Sequence, residues 1–209
     1  LSGSEAHPQA LVHEHIYTIY GEGEIQLETR LQAAADLPVL PRVGLTVTMP
    51  PGFEKLTCFG RGPHENYRDR QEGAAVGLYR GTVDEQYVPY IMPQENGNKT
   101  DVRWLALANE AGIGLLAAGL EFLEFSAAHY TADDLYAARH TNELQRREEV
   151  ILNLDMQQMG LGGASCGPPT LAPYVIMPGS LSFDVRLRPF LTSAADPAKL
   201  ARETLPGML

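Results

Sequence analysis

The chain has 209 residues, 44% of them hydrophobic and 20% charged, and a formal net charge of −10 at pH 7. That is the composition of a globular protein long enough to bury a sizeable core, which excludes a disordered chain. The acidic balance excludes a basic nucleic-acid-binding face and makes anionic membranes or anionic polysaccharides poor partners, whereas a neutral sugar is compatible.

Strand-like stretches recur from the N-terminus onward. His13–Tyr20 is the first, followed by Ile25, Leu27, Thr29 and Leu31 alternating with Glu24, Gln26, Glu28 and Arg30. Val43–Met49, Leu56–Gly60, Gly77–Gly81, Val102–Ala108, Gly114–Gly119 and Phe122–Ala127 come next. Val150, Leu152, Leu154 and Met156 alternate with Ile151, Asn153 and Asp155, and Leu181, Phe183, Val185 and Leu187 alternate with polar neighbours. Each alternating run predicts a strand with one buried face. Turn chemistry separates them: Gly21-Glu22-Gly23, Pro50-Pro51-Gly52, Asn96-Gly97-Asn98 and Asn109-Glu110-Ala111-Gly112.

Thr131 is placed to cap a short helix over Ala132–Arg139, with acids in its first turn. A second short helix is expected within Ala195–Thr204. Many short strands with regular turns predict a mainly all-β, antiparallel sandwich or barrel. No repeat or linker divides it, so residues 1–191 read as one domain, and residues 192–209 as a peripheral or disordered tail.

Cys58 and Cys166 are the only cysteines, too few by count for a disulfide or metal framework, and they suit a reduced, cytoplasmic setting. No run of about 18 apolar residues is present to span a membrane. The first residues lack the basic and apolar regions of a signal peptide, and the missing initiator Met suggests a fragment or a processed chain.

The chemistry is concentrated in two dense runs. Phe59-Gly60-Arg61-Gly62-Pro63-His64-Glu65-Asn66-Tyr67-Arg68-Asp69-Arg70 follows a strand, and its Gly-Arg-Gly-Pro core cannot be helical. Pro89-Tyr90-Ile91-Met92-Pro93-Gln94-Glu95-Asn96-Gly97-Asn98-Lys99 leads into Asp101-Val102-Arg103-Trp104. Glu65 and Glu95 are tempting as the carboxylate pair of a retaining glycosidase, which needs the two about 5–5.5 Å apart. Set among Pro, Gly and Arg, they read better as loop-shaping acceptors. Trp104 alternates with Ala106 and Ala108 on one strand face and suits packing beneath the Pro93–Lys99 loop more than a sugar platform. His13 and His15 share a strand face, but nothing supplies further ligands for a metal. His129 and His140 flank the helix and suit local backbone hydrogen bonds.

Together with Leu40-Pro41-Arg42-Val43-Gly44-Leu45, these motifs resemble the C-terminal small-chain domain of bacterial glycoside hydrolase family 2 β-galactosidases, over roughly residues 10–190. The resemblance implies a large two-sheet super-sandwich, similar to galactose mutarotases. It implies a parent that hydrolyses terminal β-D-galactose, as in lactose, with catalytic glutamates on a separate barrel and none here. Arg61, His64, Glu65, Asn66, Asp69, Arg70, Glu95, Asn96, Lys99 and Arg103 would then stabilise the dense loops or meet the parent's other domains.

Met159-Gly160-Leu161-Gly162-Gly163-Ala164-Ser165-Cys166-Gly167-Pro168-Pro169-Thr170 resembles the family's glycine-rich loop near the sugar, making Ser165, Cys166 and Gly167 the substrate-proximal residues. Where the family's best-known branch carries a sugar-stacking Trp, this chain has Cys166-Gly167, which lacks a flat aromatic face. The implied partners are the barrel and other domains of a homo-oligomeric parent and the β-galactoside itself. Magnesium and sodium are expected in the parent's barrel region and no metal or cofactor in this chain.

Two other classes compete. A stand-alone aldose 1-epimerase would need an acid–base pair, for which only His64 with Glu95 is available. A carbohydrate-binding module would need a row of exposed aromatics, and aromatics make up only 8% of the chain, many inside apparent strands.

Overall fold

One strand organises the molecule. In the computed structural model, which describes residues 10–163 and 167–204, Ile113–Ala128 runs as a single 16-residue strand and pairs with three others. We number the strands β1 Leu11–Ile19, β2 Ile25–Ala33, β3 Arg42–Met49, β4 Lys55–Gly62, β5 Ala75–Thr82, β6 Lys99–Ala108, β7 Ile113–Ala128, β8 Val150–Gln158 and β9 Ser180–Leu191. All pairings are antiparallel, as expected for short strands joined by tight turns.

The main path runs β1-β2-β9-β7-β6-β4-β5, and β8 with β3 branches from β7. The first half of β7 pairs β9 through Ile113–Gly119, and its second half pairs β8 through Glu124–Ala128. The expected separate strands Gly114–Gly119 and Phe122–Ala127 are therefore one. Opposite β6 the register jumps from Trp104↔Ala118 to Val102↔Leu123, so β7 bulges between them. Gly119 permits this, because a Cβ there would lie 2.2 Å from the Glu121 carbonyl oxygen.

The fork lets both arms share one core in the manner of an all-β sandwich. Val43 of β3, Leu56 of β4, Leu105 and Leu107 of β6, Phe125 of β7, Leu152 and Leu154 of β8 and Val185 of β9 pack together. β8 departs from the one-faced expectation: Ile151 and Asp155 are buried along with Val150, Leu152 and Leu154. It lies between β3 and β7, and its second face meets the polar cluster described below. Gly44 in β3 is equally forced, since a Cβ would stand 2.7 Å from the Leu154 carbonyl oxygen and closer still to the Asp155 carboxylate.

Helix α1, Ala132–Ala137, has the expected Thr131 cap, strengthened by a reciprocal Asp134 side-chain bond. Asp134 also binds Arg147 at two atoms, and these bonds hold its carboxyl well below the usual range. After β9, helix α2, Pro197–Leu200, lays Leu200 on a second small core with Trp104, Leu116 and Phe190. Trp104 is thus buried under this segment and not under the Pro93–Lys99 loop. Glu203 fixes the same segment: its backbone carbonyl accepts from Arg186 Nη1 at 2.9 Å, and its carboxylate pairs with Arg188.

Candidate functional site: a loop cluster held by carboxylates

The two dense motifs and the glycine-rich loop meet at one end of the sheet. Their junction is Asn66, which has no exposed surface. Its Nδ2 donates to the carbonyls of His64 and Arg61, its Oδ1 accepts from Thr100 N and Oγ1, and its amide donates to the Asn98 carbonyl at 2.8 Å. One side chain therefore satisfies backbone that would otherwise be orphaned in irregular chain. Asn98 returns the contact, donating to Asn66 O at 3.1 Å and to Glu124 Oε2 at 3.0 Å.

Glu65 is engaged at both oxygens. Oε2 accepts from Gly97 N at 2.8 Å, while Oε1 accepts from Arg70 Nη2 at 2.7 Å and from the Tyr90 hydroxyl. Arg70 also lies over the Tyr67 ring, 5.1 Å from its centroid. Glu95 is paired elsewhere: Arg42 Nη2 donates to it at 3.0 Å and to Gln158 Oε1 at 2.9 Å. Burial raises the Glu95 carboxyl, and the Arg42 guanidinium pulls it back down. Asn96 Oδ1 accepts from Val88 N and its Nδ2 donates to the Gln94 carbonyl.

Asp69 does something different. Its Oδ1 accepts from Leu161 N at 3.1 Å and its Oδ2 from Gly162 N at 2.7 Å. It fills the space where a side chain at Gly160 would stand, 2.7 Å from a Cβ built there. The first dense motif thus anchors the base of the glycine-rich loop. Thr170 Oγ1 closes the other side, donating to the Gly160 carbonyl at 2.7 Å. Ser165 and Cys166 lie outside the described residues; Gly167 is exposed.

Of the remaining expected residues, Arg61 donates to Asp101 Oδ2 at 2.5 Å and to the Ala74 carbonyl, bridging the strand ends. Asp101 itself has φ of 52°, and Arg103 donates to its carbonyl. The Arg103 guanidinium then stacks 4.1 Å from the Phe122 ring centroid. Lys99 is 2% exposed, donates to the Gly97 carbonyl at 3.3 Å, and is lowered by burial. Neighbouring Cys58 is a buried thiol in the core, and burial pushes it up to about 11. His64 shares with Glu65, Asp69, Arg70 and Tyr174 the lining of an open cleft of ≈ 460 Å³. The His64 ring receives no hydrogen bond among the described residues, and Glu95 faces Arg42 and Gln158.

A deeper layer was not anticipated from sequence. Glu124, 2% exposed, accepts from Arg68 Nε at 2.7 Å, from Asn98 and from Gln158 N. Asp155, 1% exposed, lies 3.1 Å from Arg42 Nε without the alignment of a hydrogen bond. Burial lifts the Asp155 carboxyl to about 7 against the pull of Arg42. Both acids sit in apolar strand runs, where an acid at a buried position is itself a signal of a partner elsewhere.

Elsewhere, Glu54, Asp84 and His129 bring three potential metal-ligand atoms together. Arg146 already fills the space between them, donating to both Asp84 oxygens and lying 2.9 Å from His129 Nε2. His129 Nδ1 lies 2.9 Å from the Glu149 carbonyl, and the exposed His140 pairs with Glu143. His13 and His15 are neighbours on β1, with ring centroids 5.1 Å apart and ring planes tilted by 40°.

A family model described as beta galactosidase small chain matches residues 3–187. The chain belongs to the β-galactosidase small-chain family. It is 44% identical over 147 residues to a β-galactosidase of Priestia megaterium, covering 70% of this chain and 14% of that protein. It is 41% identical over 161 residues to one from Vibrio cholerae, covering 77% and 15%. With one from Pseudoalteromonas haloplanktis the identity is 34% over 180 residues, covering 85% and 17%. This small-chain domain therefore spans roughly one sixth or less of the curated relatives it matches.

Proposed function

We propose that this small-chain domain is the non-catalytic portion of a retaining β-galactosidase that hydrolyses terminal β-D-galactosides such as lactose. It packs against the barrel and presents the glycine-rich loop beside the sugar. The observation that carries this reading is the commitment of the motif carboxylates. Glu65 is spent on Gly97, Arg70 and Tyr90, Glu95 on Arg42, and Asp69 on the loop base. A glycosidase needs one carboxyl free to protonate the leaving group and another free to attack. These acids are instead used as loop fasteners, which suits a domain that shapes a site completed elsewhere.

In this reading Ser165, Cys166 and Gly167 approach the aglycone, and the missing aromatic face makes that subsite weaker than a Trp-bearing one. Magnesium and sodium belong to the parent's barrel region. Arg146 within the Glu54, Asp84 and His129 trio leaves those residues unsuited to a cation. The parent works as a homo-oligomer in the cytoplasm; among the described residues no helix is long and apolar enough to cross a membrane. An aldose epimerase reading is weaker, because Glu95 is turned to Arg42 and Gln158 and not to His64.

Hydrolysis of a chromogenic β-galactoside by the 209-residue chain alone, and then with the barrel-containing remainder, tests the proposal. Activity is expected only with the remainder. Turnover by the chain alone would overturn it and direct mutation to Glu65 and Glu95.

A further inference from the structure

The loop Pro89–Pro93 ends in an apolar tip with unusual exposure. Ile91 is 90% exposed and Met92 64%, while Pro93 beside them is buried. Single exposed apolar residues are ordinary on protein surfaces, but two adjacent ones on a fastened loop call for a partner.

The loop is fastened on both sides. Tyr90 N donates to the Val88 carbonyl at 2.8 Å, and the Tyr90 hydroxyl is held by Glu65 and Arg70. On the far side Asn96 bonds both Val88 N and the Gln94 carbonyl, closing the loop across its base. Two prolines restrict the chain further. The ordering entropy of a docking contact is thus already spent before binding, the condition under which an exposed side chain becomes an anchor.

The tip also shares its fastening with the glycine-rich loop. Tyr67 and Arg70 close a four-residue turn. Asp69 in that turn binds Leu161 and Gly162, and Arg70 reaches Tyr90. One turn therefore fixes both the proposed sugar-side loop and the apolar tip.

We infer that Ile91 and Met92 form the knob by which this domain docks into an apolar pocket on the remainder of the β-galactosidase. The inference rests on the reading of this domain as one portion of a larger enzyme. The occupant follows from the relatives, in which at least 83% of the length of the proteins compared lies outside the matched region. The apolar cleft near Phe59, Leu78 and Phe122 is a poorer candidate, since the Arg103 guanidinium already lies over both aromatic rings.

The test is Met92→Cys, made in the 209-residue chain and in the full-length protein that carries it, and labelled with a maleimide. The same two proteins without the substitution give the background. Labelling at position 92 is expected to be at least about tenfold slower in the full-length protein, as for any group shielded until local opening. Equal rates would overturn the inference. Slow labelling of the chain alone that strengthens with its concentration would also overturn it, assigning the knob to a second copy.

Ile91→Asp gives an independent measurement: the melting temperature of the chain alone stays unchanged, while the full-length protein melts at a lower temperature. An unchanged full-length protein would again overturn the inference. Galactoside hydrolysis enters neither criterion, so failure of the docking knob and failure of the galactosidase reading remain distinguishable.

Discussion

Asn66 shows how much a single side chain can carry in irregular backbone. Its amide group satisfies the His64 and Arg61 carbonyls and the Thr100 amide and hydroxyl at once. Asn66→Ala strands these groups in a buried setting and is expected to cost about 2–4 kcal/mol of unfolding free energy. Urea denaturation measures this, and a loss below about 0.5 kcal/mol, the size of a neutral surface change, would refute it.

Asp155 makes a second prediction at the same scale. Its carboxyl is raised from an ordinary 3.8 to about 7, chiefly by burial, with Glu124 and Glu95 adding to the shift and Arg42 opposing it. Between those values the folded chain keeps a proton that the unfolded chain has released. The group's stabilising contribution is therefore present at low pH and is lost as pH rises toward 7. Asp155→Asn removes that slope. The stability difference, wild type minus variant, should fall with rising pH across this window, by at most about 1.4 kcal/mol per pH unit. Parallel stability curves would count against it.

At the scale of elements, the strands were largely legible and their joints were not. Alternation located β2, β8 and β9, and Thr131 with Asp134 marked the start of α1. β7 was split at Gly119-Leu120, because a bulge breaks the period of two without ending the strand. The glycine-rich loop was legible as a loop, but its fastening was not. Asp69 lies 92 residues from Leu161, and nothing local marks such a bond. Asp69→Ala should release the Leu161 and Gly162 amides, speeding their hydrogen exchange at least about tenfold while the amide of Asn66 keeps its rate. Unchanged exchange at both amides would show that Thr170 and the loop itself suffice.

At the scale of the molecule, residues 192–204 complete a core that the sheet leaves open. Leu200 covers Trp104, the only tryptophan of the chain, and Ala198 and Ala201 pack beside it. Leu200→Ala should cost about 2–3 kcal/mol, as for other buried leucines shortened to alanine. Trp104 emission should shift to the red as water reaches the indole. Loss of stability without a spectral shift would place the damage elsewhere than on Trp104.

The sequence by itself determined the class and the vocabulary of this β-galactosidase small-chain domain. Alternating apolar residues imposed antiparallel strands, Gly, Pro and Asn imposed turns, and the dense motifs were recognisable because such irregular chain needs an unusual local composition. Tertiary structure alone decided who meets whom. Arg68 finds Glu124 from 56 residues away, and Arg42 reaches Gln158 from 116. Local propensity acts over a few residues, whereas these pairings depend on strand register and on the fork at β7, which only the assembled sheet provides.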